Sequence, residues 1–109
     1  MNTKELLLAF FEAENKRDWI TYHNFLSPDV IWELRSTHVK ITQGIDNYLL
    51  AIMSAYEDND NTFICEALHQ SKDGTRIETI LRNNLGERSC DIFEFSSGLI
   101  VKEYEFILA

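Results

Sequence analysis

Asp91 opens an alternating run with Phe93 and Phe95, and in a strand residues two apart share a face. If the phenylalanines face the interior, the carboxyl faces it too. Desolvation among aromatic rings raises a carboxyl pKa, and an acid kept neutral can donate a hydrogen bond to an oxyanion developing on a substrate. Glu33 stands between Trp32 and Leu34, so the same alternation sets it on the opposite face from two apolar neighbours. One of those faces must be wet or functional. A base and a neutral acid together are what removal of a proton beside a carbonyl requires. Each acid also has an ordinary alternative: Glu33 as a solvated strand carboxylate, and Asp91 as a strand-end residue paired with Arg82, Arg88 or main chain.

The other chemistry-bearing residues carry weaker patterns. Glu103 and Glu105 alternate with Tyr104 and Phe106, which turns both glutamates outward, to water or to a partner chain. His23, His38 and His69 show no HxH or HxxxH spacing, so no zinc or iron site is expected. His69 has the same nominal parity as Phe63, Cys65 and Ala67, which sets it at a pocket rim or a strand end. Cys65 and Cys90 fall on the first and third strands of a meander, about 9.6 Å apart and beyond disulfide reach. Both read as small core residues.

These residues need a scaffold, and the composition supports a single one. The chain has 109 residues, 45% of them hydrophobic and 26% charged, enough for one domain with its own core, here spanning residues 1–109. Ten Lys and Arg against 18 Asp and Glu give a net charge of −8, which opposes attraction to nucleic acid or anionic lipid. Two cysteines without CxxC spacing fit a reducing cytoplasm. The longest apolar stretch, Leu6 to Phe11, is far below the ~20 residues that span a bilayer, and no export signal is expected.

Helical spacing marks a first helix over about residues 3–16, with Leu6, Leu7, Phe10, Phe11 and Ala13 on one face and Asn2 and Glu5 as a capping box. Asp18 caps a short second helix through Leu26, and Ser27-Pro28-Asp29 ends it. A strand follows over residues 30–35. After a polar passage from Ser36 to Gly44, Ile45, Tyr48, Leu49, Ile52, Met53 and Tyr56 define a third helix. Tyr48 sits on its apolar stripe, where a buried hydroxyl needs a partner. Strands over 62–70, 76–84, 88–95 and 99–108 are separated by short turns containing Gly74, Gly86 and Gly98. Helices first and a meander second predict an α+β domain with the helices on one face of a curved sheet.

The order of these segments resembles the nuclear transport factor 2-like superfamily, which includes SnoaL-like polyketide cyclases and ketosteroid isomerase-like proteins. The local sequences Ser27-Pro28-Asp29-Val30-Ile31-Trp32-Glu33 and Gly44-Ile45-Asp46-Asn47-Tyr48 carry the resemblance. So do Cys90-Asp91-Ile92-Phe93-Glu94-Phe95 and the last strand from Gly98 to Phe106. The resemblance implies a cone-shaped fold, three helices on a strongly curved, mainly antiparallel sheet, with an apolar pocket at its open end. It further implies Glu33 as the pocket base and Asp91 as the acid, no cofactor, a small hydrophobic ligand and a homodimer through the outer sheet face. Pocket positions implied are Phe10, Tyr22, Tyr48, Ile52, Phe63, Cys65, Phe93 and Glu103, the last against its simple strand parity. Phe10 stands where isomerase-like members carry a tyrosine, so that hydroxyl is missing. Two functions remain open: a proton-abstracting enzyme, or a non-catalytic ligand-binding or dimerisation module of the same fold.

Overall fold

A computed structural model describes residues 2–108. Helix α1 spans Thr3–Asn15, and the Asn2 side chain caps it by accepting from the Glu5 amide at 2.9 Å. Helix α2 is a single turn, Trp19–His23, capped by Asp18. It ends earlier than the apolar pattern suggests because Leu26 already belongs to strand β1, Leu26–Arg35. The main-chain oxygen of Phe25 accepts from the Ile100 amide. Pro28 is tolerated in β1 because it lies in an irregular stretch of pairing between Leu26 and Ile31, where no ladder donor is required.

Strand β2, Val39–Gln43, lies within the passage that reads as polar from sequence. It pairs antiparallel with β1 from Ile31–Gln43 to Arg35–Val39. Its side chains stay largely exposed, so no buried face announces it, although Val39, Ile41 and Thr42 have strand-favouring shapes. Gly44 then takes φ 88°, and helix α3 spans Ile45–Tyr56. Strands β3 (Phe63–Gln70), β4 (Arg76–Asn83), β5 (Arg88–Ser96) and β6 (Leu99–Leu108) complete the domain.

The six strands form one sheet in the order β2-β1-β6-β5-β4-β3. Every neighbouring pair is antiparallel except β1 and β6, which run parallel. This is the mainly antiparallel α+β architecture expected, with the parallel β1–β6 pair making the sheet mixed. The helices cover one face, where Leu7, Phe10 and Phe11 of α1 and Tyr48 and Ile52 of α3 pack on Ile77, Phe93 and Ile100 of the sheet.

Two bulges decide which side chains enter that interior. Phe95 pairs with Ile100 while Glu94 pairs with Lys102, so Val101 is an extra residue in β6 and reverses the alternation beyond it. Ile100 and Glu103 are three apart, yet both are buried. Likewise Cys65 pairs with Leu81 while Ala67 pairs with Ile80, making Glu66 an extra residue in β3. His69 therefore turns outward opposite Glu78 and is exposed, a correction to its reading as a pocket-rim residue. Cys65 and Cys90 are both free thiols, each pushed up in pKa first by burial.

Candidate functional site

Between the helices and the sheet lies a cavity of about 310 Å3, at the small end of the ~300–1,000 Å3 usual for small-molecule sites. Phe11 and Glu14 of α1, Tyr22 of α2, and Ile52 and Tyr56 of α3 form the helical wall. Trp32 and Leu34 of β1, Phe63 of β3, Asp91 and Phe93 of β5, and Glu103 and Glu105 of β6 face them from the sheet.

Asp91, Glu103 and Glu105 bring carboxyl oxygens within 4.8 Å of one another. The sheet register causes this: Asp91 pairs with Glu105 across β5 and β6, and Glu103 with the neighbouring Phe93. Asp91 is 4% exposed and Glu103 6%. Each acid meets a neutral donor. Ser89 Oγ donates to Asp91 Oδ1 at 2.5 Å, Trp32 Nε1 to Glu105 Oε1 at 3.1 Å, and the Tyr48 hydroxyl to Glu103. Tyr22 and Tyr48 share a further hydroxyl contact of 3.2 Å, so the buried phenols extend the network under α2 and α3. Both phenols are pushed up in pKa, first by burial.

Three carboxyl groups this close cannot all ionise in a poorly solvated site. Burial, followed by the charge of Glu105, holds Asp91 well above the usual carboxylate range. Burial, then the charges of Asp91 and Glu105, does the same to Glu103. Glu105 is raised by burial alone, against the stabilising hydrogen bond from Trp32. Burial and mutual proximity therefore hold protons within the trio, and Glu105 is the least buried of its three members. The basic residue on the wall, Arg88, does not neutralise them, since its Nε binds Glu66 at 2.7 Å. Three oxygen donors at this spacing would suit a hard cation, but burial favours their protonated forms and metal must compete with those protons.

A fourth acid lies on the helical wall. Tyr56 Oη donates to Glu14 Oε2 at 2.5 Å. Burial nevertheless pushes the Glu14 carboxyl up to about 7, opposed by hydrogen bonds from Tyr56 and Tyr22.

The structure brings together some of the sequence-selected residues and separates others. Asp91, Tyr22, Ile52, Phe63, Phe93 and Glu103 line the cavity. Glu33 does not, because Trp32 and Leu34 use the inward positions of β1. Its Oε2 instead accepts from Arg35 Nε at 3.0 Å, which corrects its reading as the pocket base. Phe10, Tyr48 and Cys65 are also absent from the cavity wall. Phe10 is stacked on Tyr22 at 4.1 Å between ring centroids, Tyr48 reaches the site only through its hydroxyl, and Cys65 Sγ contacts the Ala67 oxygen at 3.3 Å. Arg82 and Arg88 bind Glu66 rather than Asp91.

Two acids escape the sequence reading, for different reasons. Glu105 is inward because the Val101 bulge reverses its parity together with that of Glu103. Glu14 carried a usable signal, since it follows Phe10 and Phe11 by four and three residues and so lies on the buried face of α1.

No protein-family model matches the sequence, and neither does any curated protein. Solved structures do match. A candidate ketosteroid isomerase from Kribbella flavida superposes with a TM-score of 0.82, covering 98% of this chain and 78% of its own, at 24% identity. The chain has the nuclear transport factor 2-like fold. The same nuclear transport factor 2-like fold is shared by a candidate polyketide cyclase from Xanthomonas campestris pv. campestris, with a TM-score of 0.80, 16% identity, and coverage of 95% and 88% of the two chains. It is shared also by a Mycobacterium tuberculosis protein in complex with estradiol-17β-hemisuccinate, with a TM-score of 0.80, 16% identity, and coverage of 96% and 93%.

Proposed function

We propose that this protein binds a small apolar carbonyl compound and moves a proton at the carbon beside the carbonyl, as an isomerase- or cyclase-type enzyme. The observation that carries this reading is the group of Asp91, Glu103 and Glu105 within 4.8 Å, set in an aromatic cavity where, among the described residues, the basic wall residue Arg88 is paired with Glu66 instead. The Mycobacterium tuberculosis neighbour, which holds a steroid ester, supports an apolar ligand in this space.

Glu105 is the base in place of Glu33. Its carboxylate takes the proton, the C–H electron pair becomes a carbon–carbon π bond, and the carbonyl π pair moves onto oxygen. Protonated Asp91, held by Ser89 and backed by Glu103, donates a hydrogen bond to that oxygen. Returning the proton from Glu105 to a different carbon, as the oxygen's electron pair re-forms the carbonyl, completes an isomerisation; alternatively the enolate carbon attacks a second carbonyl carbon, whose π pair moves onto its oxygen and takes the proton from Glu105, and a ring is formed. No step requires a cofactor.

The test is exchange of α-protons of 2-decalone in D2O, followed by NMR. The wild type should exchange them faster than buffer, Glu105→Gln should lose about 10²–10⁴-fold, and Asp91→Asn should retain more because an amide still donates. Binding without accelerated exchange would make this a non-catalytic pocket protein of the same fold.

We also propose a homodimer through the sheet face that no helix covers. Ile80, Cys90 and Phe106 pair in one row there, beside Ile92 and Tyr104, an apolar surface suited to a second copy. Sedimentation should give twice the chain mass, and Phe106→Lys should halve it. The described residues include no helix long and apolar enough to cross a membrane, and the free thiols fit the cytoplasm.

A further inference from the structure

The helical wall of the cavity contains a carboxyl that the proposed reaction leaves unused. Glu14 faces the cavity with Tyr56 bound to one oxygen and Tyr22, another cavity-lining phenol, also beside it, and the surroundings hold the Glu14–Tyr56 pair firmly. The Arg17 guanidinium lies 3.9 Å from the centre of the Tyr56 ring. Arg17 also donates to the main-chain oxygens of Glu14 at 3.1 Å, Asn59 at 3.3 Å and Asn61 at 2.7 Å. It does so from a left-handed backbone conformation, φ 58°, which a residue with a Cβ adopts at some cost. The nearby cation is thus committed to fixing the α3–β3 connection and the Tyr56 ring. An acid meant only to tie α1 to α3 would gain more from an ion pair, or could be replaced by an amide at less desolvation cost.

We propose that Glu14 and Tyr56 form a second polar subsite, which takes a hydroxyl group carried by the substrate away from its carbonyl. The substrate class is then an apolar hydroxy-ketone, gripped by its carbonyl at the sheet wall and by its hydroxyl at the helical wall. A hydroxyl suits this place because it both donates and accepts, and so is served by either protonation state of Glu14. An anionic substituent would meet Glu14, Asp91, Glu103 and Glu105 together. An ammonium only donates, and so is served by the ionised form of Glu14 alone.

The inference rests on the carbonyl reading of the cavity, and one titration separates the two. Quenching of Trp32, which lines the cavity and binds Glu105, reports binding of 2-decalone and 6-hydroxy-2-decalone at pH 6. The wild type should bind the hydroxy-ketone about tenfold more tightly, equivalent to about 1.4 kcal/mol. Glu14→Leu should reduce that ratio to about one, and Glu14→Gln should restore most of it, because an amide still bonds a hydroxyl. Equal affinities in the wild type overturn the subsite and leave the carbonyl reading standing. A ratio that survives Glu14→Leu overturns the assignment to Glu14. Binding of neither ketone overturns both readings. Should Glu14→Leu not fold, Tyr56→Phe takes its place: it should also reduce the ratio, and a ratio that survives it overturns the subsite.

Discussion

The Tyr48 hydroxyl of α3 donates to the Glu103 carboxyl of β6, and both side chains are sealed from solvent. This bond fastens a helix to the sheet across the interior and shapes the acid network from behind the cavity wall. In Tyr48→Phe, Glu103 loses its donor and Tyr22 loses its phenolic partner. Chemical denaturation should show a loss of about 1–3 kcal/mol, the usual cost of orphaning buried polar groups. A variant as stable as the wild type would mean that the phenols contribute packing alone.

Glu14 predicts an unusual dependence of stability on pH. Its folded pKa of about 7 exceeds its ordinary 4.5, so between these values the folded state holds more protons than the unfolded state. Stability therefore falls as pH rises through this window, by up to about 3 kcal/mol from this group. Asp91 and Glu103, also raised, carry the decline to higher pH. Glu66, Asp73 and Asp18 have lowered pKa values and act oppositely at the acidic end. The melting temperature should drop from pH 5 to pH 8, and Glu14→Gln should flatten the drop. A level wild-type profile would contradict the buried acid.

Glu103→Gln removes one ionisable group from the trio while an amide oxygen still accepts from Tyr48. Like-charge repulsion and the cost of a buried proton acceptor both diminish. At pH 8 the variant should melt above the wild type by a few degrees in calorimetry. Activity should move the other way, since Asp91 loses the acid that backs it.

Glu33→Gln separates the outer face from the site. The Glu33–Arg35 pair is partly exposed, and such pairs contribute about 0–1 kcal/mol. Ketone binding and α-proton exchange should match the wild type; a loss comparable to that of Glu105→Gln would return the base to the outer strand face.

Most of the fold was legible because its elements obey simple periods. Ile45 to Tyr56 keeps a helical stripe, and Gly74, Gly86 and Gly98 punctuate the meander where turns require them. Asp91 was legible for the same reason, since β5 keeps strict alternation with Phe93 and Phe95. Glu105 was not, and Glu103 followed only from the family resemblance and against its strand parity, because a single extra residue, Val101, reverses their faces, and a bulge is a property of pairing rather than of one strand read alone. Glu66 hid the true direction of His69 in the same way. Parity also placed Glu33 away from Trp32 and Leu34, but which of those faces lined the cavity depended on where the helices settle. Glu14 lies within reach of helical spacing, on the face of α1 that carries Phe10 and Phe11.

The position of β6 within the sheet bears on how the protein comes into being. Every other element among the described residues precedes β6, yet it lies between β1 and β5 and joins the two halves of the sheet. During synthesis β1 and β2 can pair early, and β3 to β5 can form their own ladder. Each half then waits with an open edge, and the acid trio does not exist. Only when Glu103 and Glu105 leave the ribosome do the halves close around the cavity, so assembly of the site and completion of the fold are one event. Nascent chains stalled before that point would expose two unpaired strand edges, the surfaces through which such intermediates aggregate and which chaperones must shield.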